Sequence, residues 1–152
     1  MKTLILGLLI LTGTCGSQKN KVKDENYQEL DDNPLTLIIS DNYGGTETEQ
    51  LFAIRDNKTL KSFFSKINKT RKPGLQIPEI DFNTEMVVIY CNGKTSDTPA
   101  SRIRGVQEED NQMILDIVNT KDNKSPSTAV LMPFNLYKMP LTEKEIILSD
   151  NK

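Results

Sequence analysis

Histidine and tryptophan are absent from the 152-residue chain. The missing histidine removes the commonest general base and the commonest zinc ligand together. Cysteine is almost as scarce, at two residues, Cys15 and Cys91. Neither sits in a metal-binding or redox spacing. Nor is there a basic excess: 19 Lys and Arg stand against 21 Asp and Glu, a net charge of −2. Nucleic-acid binding needs a basic stripe to neutralise phosphates, so no nucleic-acid partner is expected. Gly44-Gly45 is not followed by Lys-Ser or Lys-Thr, so the phosphate-cradling loop is missing too. Long apolar runs are lacking as well. The stretch Leu4–Leu11 (LILGLLIL) is far short of the roughly 20 apolar residues that span a bilayer.

What is present begins at the first residues. Lys2 is basic, Leu4–Leu11 is apolar, and Thr12-Gly13-Thr14 supplies small residues before Cys15. A positive start, a short apolar core and a small-residue cleavage site make a secretory signal. The cysteine at the cleavage point makes it resemble a bacterial lipoprotein signal. Leu11 stands four places before Cys15 rather than the usual three, and Cys15-Gly16-Ser17-Gln18-Lys19 looks like the mature start of many lipoproteins of Bacteroidetes-type bacteria. The resemblance implies removal of residues 1–14 and lipid attachment at Cys15. No Asp follows Cys15 directly, which by analogy with sorting rules disfavours retention in the inner membrane and favours the outer membrane. Residues 15–33 are polar and charged, too poor in apolar anchors to offset their ordering entropy. They are expected to be a lipidated tether of about 20–25 Å root-mean-square length. A single globular domain is expected over residues 34–149. Cys91, left without an intramolecular partner, is expected to be a buried small hydrophobe.

Leu35–Ser40 is short, apolar and β-branched, and Glu49–Arg55 reads as a second strand. Between them Asp41-Asn42-Tyr43-Gly44-Gly45 is turn chemistry, its glycines free to take positive φ. Leu60, Phe63, Phe64 and Ile67 recur at i, i+3, i+4 and i+7, which predicts one amphipathic helix near 58–68, capped by Asp56 or Asn57. Met86–Cys91 is apolar at every position, the mark of a central strand covered on both faces, with the helix on one of them. Ser101–Val106 and Gln112–Asn119 should pair as a hairpin across Glu108–Asn111. Thr128–Met132 and Asn135–Met139 are strand-like and divided by Pro133, and Ile146–Leu148 is a last short strand. The fold class is therefore α+β: a mostly antiparallel sheet or open sandwich with one packed helix.

This order of motifs resembles the C-terminal domain of the PrcB-type protease-complex subunit, a family of secreted and lipid-anchored bacterial domains. The matching features are Gly44-Gly45 before strand Glu49–Arg55, helix Thr59–Asn68, and Pro78-x-Ile80-Asp81-Phe82 before Met86–Cys91. Gly93 and Pro133-x-x-Leu136-Tyr137-Lys138-Met139-Pro140 complete the set. The likeness covers about Leu37 to Pro140. The loop after the central strand departs from it. Where the family often has a glycine-aromatic element, this chain has Lys94-Thr95-Ser96-Asp97-Thr98-Pro99-Ala100. The resemblance implies a non-catalytic accessory domain that assists or stabilises a partner, with a protease as the expected class.

Catalytic sets are hard to assemble without histidine. Ser62 and Lys66 share a helix face at i, i+4, but that face is expected to be wet. The acidic groups Asp31-Asp32, Glu108-Glu109-Asp110 and Asp122 read as solvated surface, without the alternating ligands of a calcium loop. Asp81 is expected to hydrogen-bond local backbone. No metal and no cofactor are expected. The candidate binding loop is Lys94, Thr95, Ser96, Asp97 and Thr98, since polar loops on a rigid sheet are common recognition surfaces. The expected function is an envelope-anchored interaction domain. A protease inhibitor acting through exposed loops and a small-molecule-binding envelope protein are the competing readings. Mass spectrometry of the native protein should find a mature chain beginning at an acylated Cys15; a chain beginning at Met1 would refute the lipoprotein reading.

Overall fold

Six consecutive residues, Met86–Cys91, are buried, and the layers of the fold follow from that. Alternate side chains of a strand point to opposite faces, so this segment needs apolar cover on both sides. The computed structural model describes residues 33–96, 99–121 and 129–149. In chain order its elements are β1 (Thr36–Asp41), β2 (Glu49–Ile54), α1 (Asn57–Ile67), β3 (Glu85–Asn92), β4 (Pro99–Glu108), β5 (Gln112–Lys121), β6 (Phe134–Pro140) and β7 (Glu145–Leu148). One sheet has the order β1-β6-β3-β2 and is antiparallel throughout. The second has the order β4-β5-β7, with β4 and β5 antiparallel and β7 parallel to β5.

The two faces of β3 belong to two cores. Met86, Val88 and Tyr90 pack with Tyr137 and Met139 of β6 against Ile103, Met113 and Leu115 of the second sheet. Val87, Ile89 and Cys91 pack with Phe134 and Leu136 against Leu60, Phe64 and Ile67 of α1. The order is helix, four-stranded sheet, three-stranded sheet. The α+β open sandwich with one packed helix is what the sequence predicted. Burying a large apolar side chain contributes about 1.5–3 kcal/mol, and Phe64, Phe134, Leu60, Met86, Ile89, Leu115 and Leu136 are all fully buried.

The helix begins one residue before its predicted start. Asp56 is the N-cap, accepting from the Thr59 amide at 2.8 Å and the Thr59 hydroxyl at 2.6 Å. These bonds hold its carboxyl below the usual carboxylate range. Asn68 follows the last turn. Its side chain donates to the Leu75 carbonyl at 2.9 Å and accepts from the Leu75 amide at 2.8 Å, closing a short loop. Phe63 joins the helix to the sheet through a tilted ring contact with Phe52 and an edge contact with Phe134.

Three expectations need adjustment. The predicted strand Thr128–Met132 is reduced, over its described part, to one bridge between Leu131 and Thr95. The hairpin is longer than its apolar pattern: β4 gains Pro99 and Ala100 at its open end and Gln107 and Glu108 at the turn, and β5 gains Thr120 and Lys121. The last strand pairs parallel with β5, a register set by a remote partner and without a local sequence signal. Cys15 and most of the expected tether lie outside the described residues.

One side-chain hydrogen bond ties the two sheets through their core. The Ile103 amide donates to the buried Tyr137 hydroxyl at 3.0 Å. The β4–β5 register shifts between Ile103 and Gly105, next to this bond, and β4 is an edge strand of its sheet. Removing the acceptor leaves a buried amide without a partner, at a cost of about 1–3 kcal/mol. Tyr137→Phe should therefore lower unfolding free energy by that amount in a urea titration. An unchanged midpoint would show the bond to be dispensable.

Candidate functional site: a knitted loop surface

The end of β1, the start of β2, the end of β3 and the start of β6 lie together at one end of the four-stranded sheet. The loops leaving these strands prolong the sheet order. On the β1 side, the Met132 amide donates to the Asn42 carbonyl at 3.0 Å and the Gly45 amide to the Met132 carbonyl at 2.9 Å. In the middle, Thr95 and Leu131 exchange amide–carbonyl bonds of 2.9 and 2.8 Å, and the Asn92 amide reaches the Pro133 carbonyl at 3.1 Å. On the β2 side, the Lys94 amide donates to the Glu47 carbonyl at 2.9 Å. Six backbone bonds thus join residues 42–47, 92–95 and 131–133 into one unit.

The glycine pair permits the closeness, by two different means. Gly44 has φ +106°, a left-handed conformation, and lies against Ile67 of α1. Gly45 needs no unusual φ. A Cβ there would stand 2.7 Å from the Pro133 carbonyl oxygen and 2.8 Å from that of Met132, closer than van der Waals contact allows. Both glycines of the turn are free to take positive φ, and of the two only Gly44 does.

The predicted binding loop is partly in this unit. Lys94 and Ser96 are exposed, whereas Thr95 is half-buried and committed to the bridge with Leu131. Asp97 and Thr98 lie outside the described residues. Sequence reasoning missed the other two loops, which contribute the large apolar exposure. Tyr43 is 52% exposed and Val130 55%. The Gly44-Gly45 pair and Pro133 were the available signals, because each marks a place where backbone crowds backbone.

Charge also gathers here. Asp41 accepts from Arg71 Nη2 at 2.7 Å and from the Tyr43 amide at 2.9 Å. Burial pulls its carboxyl upward, but the Arg71 hydrogen bond, the Tyr43 amide and the Arg71 charge outweigh it, so the carboxyl sits below its usual range. Two buried side-chain polar atoms have no hydrogen-bond partner among the described residues, Arg71 Nη1 and Asn92 Oδ1, and both belong to this end. Such orphans are uncommon in folded proteins.

Elsewhere the chemistry is modest. Ser62 and Lys66 are both exposed on α1. Asp81 accepts from the Asn83 amide at 3.1 Å and its side-chain amide at 2.8 Å, so it stabilises a turn before β3, as its local sequence suggested. Cys91 is buried, and desolvation raises its thiol pKa despite hydrogen bonding with Thr46. At the opposite end Glu109, Asp110, Asn111, Gln112 and Glu145 line an open depression. It lacks the apolar enclosure that usually holds a small molecule. Among the described residues, no group of three or more cysteine or acidic side chains is placed to hold a metal ion.

The Asp41 carboxylate gives the loop unit a pH dependence. A carboxyl with a depressed folded pKa stabilises above its unfolded pKa of about 3.9, and that contribution fades as pH falls through the lower folded value. At pH 7 Asp41→Asn should cost roughly 1 kcal/mol. In urea titrations its gap from the native chain should close below about pH 4, and a gap constant with pH would exclude the Arg71 pairing as its source. Comparison of the chain with protein-family models, with curated proteins and with solved structures gives no match in any of the three.

Proposed function

We propose that the chain is an envelope-anchored lipoprotein whose folded part is a non-catalytic interaction module, an accessory or stabilising subunit of a protein complex. The observation that carries this is the knitted loop unit: three loops held by six backbone bonds, displaying Tyr43 and Val130. A surface already ordered loses little conformational entropy on binding, so its contacts count more fully toward affinity. Tyrosine is a common anchor in such surfaces, large and rigid with a polar tip.

The anchor rests on the signal-like start and Cys15. The non-catalytic part rests on a sequence without histidine. The resemblance to the PrcB-type domain favours a protease complex as the assembly. Cell-envelope localisation, with the outer membrane as the anchor site, follows from the same residues.

Purification of the native protein from its envelope in mild detergent should recover a protein partner in fixed stoichiometry. Tyr43→Ala combined with Val130→Ser should reduce that recovery about tenfold while the urea midpoint stays close to that of the native chain. A small molecule that co-purifies in place of any protein would overturn the proposal.

A further inference from the structure

The two ends of the sandwich differ in charge. The loop end carries exposed Lys66, Lys69, Lys72 and Lys94, together with Arg71. Lys66 lies in the last turn of α1, and Arg71 reaches Asp41 at the end of β1, so these cations flank the knitted loops. Three described acids share this end. Asp41 is held by Arg71, Glu49 accepts from the Tyr90 hydroxyl at 2.7 Å, and Glu47 is exposed.

The opposite end is acidic. The β4–β5 turn contributes Glu108, Glu109 and Asp110, β7 begins with Glu145, and Asp81 and Glu85 precede β3. Hydrogen bonds gather these pieces. Glu145 donates its amide to Asn111 at 3.0 Å and Leu141 to Thr84 at 2.8 Å. Arg55, just after β2, donates to the carbonyls of Thr142 and Lys144 at 2.9 and 2.8 Å. Two of the lysines here are occupied, Lys138 by Glu85 and Lys144 by Glu108, each at 2.7 Å.

The chain enters the fold at this acidic end. Thr36, the first residue of β1, pairs with Lys138 near the end of β6, whereas Asp41 pairs with Phe134 at the loop end. A six-residue strand is about 20 Å long, so entry and loops are separated by that span. A lipid tether before β1 therefore pulls on the acidic end. On the lipoprotein reading the anchor joins the acidic end, and the knitted loops lie a strand length beyond it.

We infer that the loop end, which carries Tyr43 and Val130 together with exposed Lys66, Lys69, Lys72 and Lys94, docks an acidic protein surface held farther from the membrane than the anchor. The inference rests on the reading of this face as the interaction module and adds the chemistry and position of its partner. Charge complementarity of this kind mainly sets the rate and orientation of encounter, while the apolar centre supplies contact area.

The test uses the full chain in its native envelope, with the photo-crosslinker benzoylphenylalanine at Asn42 or, separately, at Asp110. The captured protein is then purified, and its binding is measured with Lys69→Glu/Lys94→Glu and with Lys58→Glu, a charge reversal at the start of α1. The expected result is crosslinking from position 42 and not from 110, to an acidic peptide. The double reversal should weaken binding about tenfold at low salt and less at high salt, with Lys58→Glu neutral. Capture from position 110 alone, or affinity indifferent to the double reversal, would overturn the inference and leave the interaction module standing. No capture from either position, with no co-purifying protein, would overturn the underlying reading itself. Binding of phosphatidylglycerol vesicles through these lysines, without a captured protein, would replace the acidic protein by a lipid surface and so overturn the inference.

Discussion

Burial of β3 on both faces is the constraint from which the layers follow. An apolar strand cannot leave either face to water, so the chain must supply a helix for one and a second sheet for the other. The helix side is nearby in sequence, through α1. The sheet side comes from β4, β5 and β7, all later in the chain. With β6 sharing both cores, the four-stranded sheet becomes a rigid middle layer. The loops at its end inherit that rigidity, since their hydrogen bonds continue the strand order rather than cross it.

Much of this was legible in the residues. Leu60, Phe63, Phe64 and Ile67 fixed the helix and its buried stripe, because helical periodicity is local. The unbroken apolar run Met86–Cys91 announced a strand covered twice. The β4–β5 hairpin followed from two strand patterns joined by a polar turn. The parallel place of β7 had no such signal. Its four residues are ambiguous in isolation, and a neighbour far away in sequence decides their register.

The candidate site was half legible. Lys94–Thr98 was recognised as a polar loop after a central strand. Its partner loops were not, because proximity of residues 42–47 and 131–133 depends on β6 lying between β1 and β3. Tyr43 and Val130 look ordinary in sequence and gain meaning from exposure beside a rigid backbone. Gly45 is instructive for the same reason. Beyond its conformational freedom, it leaves the space that the Met132 and Pro133 carbonyls occupy.

The strand order has a consequence for how such a chain is made. Among the described residues β1 pairs only with β6, so Thr36 must wait for Lys138 before its ladder closes. Non-local pairing of this kind slows folding, because loop closure comes before the contacts that reward it. β2, α1 and β3 can associate early, and β6 then completes the four-stranded sheet by pairing with β3 and β1 together.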